Sequence, residues 1–208
     1  MIIGVCGLIG SGKGTVADML VAEHGFVKLS FADKLKDAVA EMFDWPRDMV
    51  EGDTNESREW REQLDTFWTK ETGRDITPRL VLQEFGTECM RAGFYDGIWV
   101  SLVKKRILDN PTTNFVIPDT RFPNEIKMIQ ELSGNVWWVR RGKLPGWFVD
   151  YRISAVEPAD IHSSEWAWGR TSFDQTIDNN ETVTELRNQV VDLLVSNENL
   201  PFAKAAGS

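Results

Sequence analysis

Apolar positions along this chain follow two periods that take turns for almost its whole length. Short apolar runs at 2–6, 27–31, 114–118, 136–139 and 174–177 predict strands. Helical spacing predicts helices over 13–24, 32–43, 57–72, 77–92, 96–109 and 122–132, and a closing helix that runs to about Ser196. In the first helix Val16, Met19, Leu20 and Val21 form the expected buried face. In 57–72 the stripe is Trp60, Leu64, Phe67 and Trp68, spaced i, i+4, i+7, i+8. A polar break around Pro46 and Gly52 fills 44–56, and 141–173 reads as an irregular, aromatic-rich segment with Trp147, Trp166 and Trp168. Trp137 and Trp138 are neighbours in one strand, so at most one of them faces a given layer. Thr182-Val183-Thr184-Glu185 fits a capping box for the last helix, with Asn179 and Asn180 as competing caps. Alternating strands and helices predict an α/β fold with a mainly parallel sheet.

Composition narrows the class. A length of 208 residues suits one domain, here with a helical insertion at 44–109 and a lid-like segment at 141–173. No apolar run reaches the roughly 20 residues of a membrane span. The N-terminal run lacks a basic lead and is too short for a signal peptide. Cys6 and Cys89 supply neither a disulfide framework nor a zinc site; both read as small buried apolar residues, and a reducing, cytoplasmic compartment is the expectation. A net charge of −9 counts against a nucleic-acid partner. The tail Ala205-Ala206-Gly207-Ser208 has the look of a cloning remnant and is left out of the fold reading.

Gly7-Leu8-Ile9-Gly10-Ser11-Gly12-Lys13-Gly14-Thr15 joins the first strand to the first helix. Glycines let the backbone curl until several N–H groups point inward, and the helix N-terminus adds partial positive charge. Lys13 then reaches phosphates whose charge builds during transfer. The strict loop has Ser or Thr straight after the lysine; here Gly14 intervenes before Thr15. Gly10, Ser11, Gly12, Lys13, Gly14 and Thr15 are the candidate ATP-binding residues. An Asn-Lys-x-Asp guanine motif and a Ser-Gly-Gly transporter signature are both absent, so a small-molecule kinase is favoured over a GTPase or a transport ATPase.

A second constellation is Val116-Ile117-Pro118-Asp119-Thr120-Arg121, at the carboxyl end of a predicted strand, the edge where open α/β sheets bind ligands. Asp119 has the chemistry to hold magnesium through water, or to accept a hydrogen bond from a base; Arg121 has that to clamp a phosphate. A capped helix start with a local ion pair is the plain alternative. Arg79, Gln83 and Thr87 follow at i, i+4, i+8, which gives one polar helix face or an ordinary solvated one.

These segments occur together with Ser30-Phe31-Ala32-Asp33-Lys34-Leu35-Lys36, Leu82-Gln83-Glu84-Phe85-Gly86-Thr87-Glu88, Trp99, His162-Ser163-Ser164-Glu165 and Ile177-Asp178-Asn179-Asn180. In that order, over residues 2 to about 195, the chain resembles the bacteriophage-type deoxynucleoside monophosphate kinases. The resemblance implies a P-loop kinase-like three-layer fold: about five mainly parallel strands, helices on both faces, and a helical insertion. It also implies transfer of the γ-phosphate of ATP, with Mg2+, to a deoxynucleoside 5′-monophosphate (dNMP), supplying precursors for viral DNA synthesis. Catalytic roles fall to Lys13, Asp119 and Arg121, and acceptor binding to Lys36, Arg79, Gln83, Trp99, Asp119 and Arg121. Trp99 becomes an aromatic platform for the acceptor base, with core packing as its alternative.

Lid cations are expected among Arg140, Arg141 and Arg170, with Lys143 nearby and a solvated basic turn as the competing view. Arg58 and Arg61 are reserve cations, or ion-pair partners of Glu56, Glu59 and Glu62. His24 is expected at a helix end and His162 in a hydrogen-bonded loop. Related kinases are often dimers, so a homodimer stays open. So do a dephospho-coenzyme A kinase-like activity, a kinase of a hydroxymethylated base in DNA, and a non-catalytic nucleotide-binding protein.

Overall fold

Strands form where the short apolar runs were placed. The computed structural model describes residues 1–198 and contains β1 (Ile2–Cys6), β2 (Val27–Lys28), β3 (Phe115–Ile117), β4 (Asn135–Arg140) and β5 (Gln175–Asp178). They hydrogen-bond in the order β2-β3-β1-β4-β5, and every neighbouring pair is parallel. Parallel strands need crossovers and are covered on both faces, which is why β1, β3 and β4 are apolar on successive residues. Only the first two residues of the 27–31 run pair as a strand, and residues 205–208 lie outside the described ones.

The chain gathers into two compact units, one made of Met1–Leu29 and the chain from Pro111 on, the other of Ser30–Asn110. The first unit holds the sheet. On one face Ile3, Val5, Trp137, Val139 and Ile177 pack with Val16, Ala17 and Leu20 of α1 (Lys13–His24) and with Leu186 and Val190 of α10 (Val183–Glu198). Val21 is 39% exposed and stays outside this core. Thr182 caps α10 by accepting from the Glu185 N–H at 3.2 Å. On the other face α8 (Pro123–Glu131) presses on β1 so closely that a Cβ at Gly4 would stand 2.5 Å from Ile129 Cδ1.

Trp138 points away from Trp137, as strand alternation requires, into a cluster with Phe148, Trp168 and Phe173. Burying rings of this size contributes about 2–3 kcal/mol each. Phe148 and Tyr151 are the buried residues of α9 (Gly146–Ser154), a helix inside the segment expected to be irregular. Its stripe is only two residues deep, and the aromatic cluster holds it instead of a long amphipathic pattern. Two 3-10 turns, Ser163–Glu165 and Ala167–Arg170, follow.

The second unit is helical: α2 (Asp33–Phe43), α3 (Arg47–Glu51), α4 (Asn55–Trp60), α5 (Thr66–Thr72), α6 (Pro78–Glu84) and α7 (Ile98–Leu108). Val39, Trp45, Val50, Ile76 and Val81 form its core, with Phe43, Trp60 and Trp68 packed against them. The expected break at 44–56 contains α3, which starts after Pro46 and stops at Gly52 in the left-handed region, φ 75°. The expected helix 57–72 is two helices. Asp65 caps α5 by accepting from the Trp68 N–H, while its own N–H donates to Ile76 O at 2.8 Å. The break turns Leu64 and Phe67 outward, 51% and 60% exposed, so only Trp60 and Trp68 of the stripe reach the core.

After α6 the chain runs in π-helical geometry over Phe85–Ala92. That wider turn rotates residues away from their α-helical positions, and Cys89 is exposed instead of buried. Among the described residues no helix is long and apolar enough to cross a membrane.

Candidate active site

Lys13 sits where β1 hands over to α1 through the glycine loop. Gly7 has no room for a side chain, because a Cβ would stand 2.6 Å from the backbone oxygen of Val139. Gly10 and Gly12 take φ of 78° and 96°, and Ser11 N–H closes a turn on Leu8 O at 3.1 Å. The loop is also tied from β5. Asn179 Nδ2 donates to Ser11 O at 2.9 Å, and its backbone N–H donates to Arg140 O at 2.8 Å. Asn180 Oδ1 accepts from Gly142 N–H at 2.7 Å. Both asparagines therefore serve the loops and not the cap of α10. Gly14 and Thr15 lie exposed on the first turn of α1.

Lys13 Nζ donates to Leu8 O at 3.3 Å. Burial first, and then the nearby charge of Arg121, hold its pKa below the usual lysine value; Glu165 and Cys6 pull the other way. Lys13 therefore feels the charge of Arg121, and that of Glu165 with the opposite sign. Arg121 Nη1 forms an ion pair with Glu165 Oε1, which is carried on the first 3-10 turn of the lid-like segment. The backbone of Arg121 is fixed separately. Glu125, only 3% exposed, accepts from Arg121 N–H at 2.7 Å and from Phe122 N–H at 3.0 Å. Asp119 is half-buried two residues earlier, at the carboxyl edge of β3. Cys6 ends β1 with its thiol pushed far up by burial, so it stays protonated.

Sequence reasoning gave no role to Glu125, nor to Glu165 within the His162-Ser163-Ser164-Glu165 segment, yet both hold Arg121 in place. Glu125 carried a readable signal, since it stands two residues after the helix-starting Pro123, where an N3 glutamate can reach back to the cap. Glu165 lies 44 positions from its partner, and nothing local announces the pair.

Beside the loop lies a cavity of about 640 Å³ whose lining includes Leu8, Ile9, Trp138, Arg141, Trp147 and Glu165. Of the lid candidates, Arg141 is exposed on this lining. Arg140 makes a two-pronged pair with Asp178, 2.9 Å on each arm, and its guanidinium also stands 5.2 Å from the Trp138 ring centre. Arg152 approaches the same ring at 4.4 Å. Arg170 Nη1 donates to Tyr151 O at 3.3 Å, tying the second 3-10 turn to α9. His162 accepts from Ser164 N–H through Nδ1 and caps the first 3-10 turn.

The acceptor candidates Lys36, Arg79, Gln83 and Trp99 all lie in the Ser30–Asn110 unit. Lys36 pairs with Glu51, which Arg47 also engages. Arg79 pairs with Glu62 through Nε, and Gln83 is exposed one turn further along α6. The π-helical stretch begins between Gln83 and Thr87, so Thr87 no longer continues their line. Trp99 is 5% exposed and donates its indole N–H to Gly86 O at 3.1 Å. Its ring is packed in the interior of the unit. Among the described residues there is no cluster of three or more His, Cys, Asp or Glu side chains able to cage a metal.

A family model described as an AAA domain matches residues 6–120. A protein of Acanthamoeba polyphaga mimivirus, named "Putative deoxynucleotide monophosphate kinase", is 32% identical over 204 residues, covering 92% of this chain and 94% of its own length. Among solved structures, shikimate kinase from Aquifex aeolicus vf5 is 13% identical with a TM-score of 0.46, covering 95% of this chain and 98% of its own. TT1252 from Thermus thermophilus is 16% identical with a TM-score of 0.49, over 95% of this chain and 97% of its own. Dephospho-CoA kinase from Campylobacter jejuni is 13% identical with a TM-score of 0.43, over 94% and 96%.

Proposed function

The chain belongs to the P-loop kinase family, and we propose that its reaction is transfer of the γ-phosphate of ATP to a dNMP, giving a deoxynucleoside diphosphate and ADP. The observation that carries this reading is the pairing of Lys13 with Arg121. Lys13 follows the glycine loop after β1, Arg121 follows β3, each feels the other's charge, and Glu165, the partner of Arg121, lines the cavity beside that loop. A polyphosphate relieves that repulsion, and the charge that grows during transfer relieves it further.

ATP is assigned to the loop residues Gly10 to Thr15, with its base directed to the cavity lined by Trp138, Arg141 and Trp147. Arg121 exchanges Glu165 for a phosphate when substrate binds. The hard oxygen donors at hand, the Asp119 carboxylate through water and the Thr15 hydroxyl, would hold magnesium, which would supply charge neutralisation to the phosphates. Phosphoryl transfer asks the chain for alignment and charge stabilisation more than for proton transfer. Acceptor recognition is assigned to the Ser30–Asn110 unit through Arg79 and Gln83. Lys36 first has to leave Glu51. Trp99 enters as a prop behind Gly86, its ring too enclosed to offer a stacking face. Supply of precursors for viral DNA, and the narrower bacteriophage-type grouping, belong to the same proposal.

The test is a coupled ADP-release assay with ATP and magnesium against the four dNMPs, the ribonucleotides, dephospho-coenzyme A and a buffer blank. Turnover confined to some dNMPs is the expected result. Turnover with dephospho-coenzyme A alone, or none above the blank, would overturn the proposal.

A further inference from the structure

Three guanidinium groups gather where α4 ends in the Ser30–Asn110 unit. Arg79 N–H donates to Arg61 O at 3.0 Å, which sets the start of α6 against the end of α4. Arg58 spends Nε and Nη2 on the carbonyl oxygens of Gly52 and Asp53, at 3.0 and 3.1 Å. Arg61 is laid over Gly52 so closely that a Cβ there would collide with Cζ and both Nη atoms. Its Nε is buried with no acceptor, and among the described residues its guanidinium joins no ion pair. The two carboxylates near it are already engaged, Glu62 by Arg79 and Glu51 by Lys36 and Arg47. Burial, followed by the charge of Arg79, works against its protonated form. The expectation that Arg61 pairs with a neighbouring glutamate is therefore not met.

Glu62 and Glu51 favour the charge of Arg61 from a distance, but each is held by another cation, so a partly buried guanidinium with an unpaired Nε has room for one more anion. The planar fork of arginine matches a phosphate monoester in two-pronged fashion. We infer that Arg61, supported by Arg79, binds the phosphate monoester dianion of the acceptor nucleotide. This rests on the phosphotransfer reading above, and it makes Arg61 the main phosphate ligand of this unit, with Arg79 released from Glu62 as its second arm.

The test compares wild type, Arg61→Gln and Arg61→Lys by calorimetric binding of dNMPs and of the matching deoxynucleosides, alongside steady-state kinetics. Arg61→Gln is expected to weaken dNMP binding and raise the acceptor KM by about ten-fold or more, leaving deoxynucleoside affinity and the KM for ATP unchanged. Arg61→Lys keeps the charge without the fork and is expected to fall between; it decides the matter if the glutamine variant does not fold. dNMP binding that depends on Arg61 without any turnover would keep the site and remove the kinase reading. Turnover of dNMPs with an unchanged acceptor KM in both variants would remove the site and keep the kinase. Failure of wild type to bind any dNMP overturns the inference.

Discussion

The side-chain amide of Asn179 donates to the carbonyl oxygen of Ser11 at 2.9 Å, joining positions 168 residues apart. That bond makes the end of β5 a prop for the phosphate loop. A Cβ at Gly12 would collide with the same amide, and Gly12 also holds φ 96°. Removing the prop leaves the loop able to form but less well held. Asn179→Ala is expected to raise the KM for ATP by roughly three- to ten-fold, the worth of one hydrogen bond, with a smaller change in kcat. Gly12→Ala should cost more, since it adds backbone strain to the clash. An ATP titration of both variants checks the order; equal KM values across wild type and Asn179→Ala would show that the loop holds itself.

Lys13 and Arg121 are expected to fail differently. Lys13→Ala removes the cation that meets the transferring phosphate and should lower kcat by roughly a thousand-fold, with the fold unchanged by circular dichroism. Arg121→Ala should cut turnover by roughly a hundred-fold with a smaller effect on ATP affinity. Wild-type turnover in either variant would withdraw that residue from the site.

The alkaline limb of the pH profile reports on the same trio. Lys13 has to be protonated to hold phosphate, and burial together with Arg121 brings its pKa below the ordinary 10.5, so activity is lost earlier as pH rises. Glu165 opposes that shift. Glu165→Gln is thus expected to move the alkaline limb of kcat/KM for ATP to lower pH, and Arg121→Gln to move it to higher pH. Shifts of the opposite sign, or none, would separate Lys13 from both neighbours.

How far the molecule could be read in advance depended on whether a feature is local. The parallel sheet was legible because strands buried on both faces write continuous apolar runs, as in Val116-Ile117 and Trp137-Trp138-Val139. The phosphate loop was legible because Gly10 and Gly12 need a backbone that only glycine adopts freely. The break at Asp65 was not, because a helical stripe continues through it and the competing bond comes from Ile76. The π-helical stretch shifted Cys89 and Thr87 off an α-helical count that nothing in the residues contradicted. In the site, Lys13 and Arg121 were nameable from their motifs, whereas Glu165 and the unsatisfied Arg61 depend on segments that only the fold brings together.

Glu51 offers a stability test independent of catalysis. Burial alone would raise its pKa, but hydrogen bonds and charge from Lys36 and Arg47 outweigh it and hold the carboxyl below its ordinary 4.5. A depressed carboxylate contributes stability that is fully present above the unfolded value and lost as pH falls through the folded one. Near neutral pH, Glu51→Gln is therefore expected to melt at a lower temperature than wild type. The gap should begin to narrow as pH falls below the ordinary 4.5, where the unfolded chain takes up the proton first, and close once the folded carboxylate is protonated as well. Asp37, which shares Arg47, titrates in the same direction and remains in the variant, so the gap is read between the two proteins and not from either curve alone. Melting temperatures followed from pH 7 to 3 check this. A gap that stays constant would mean that Glu51 acts through packing and not through its charge.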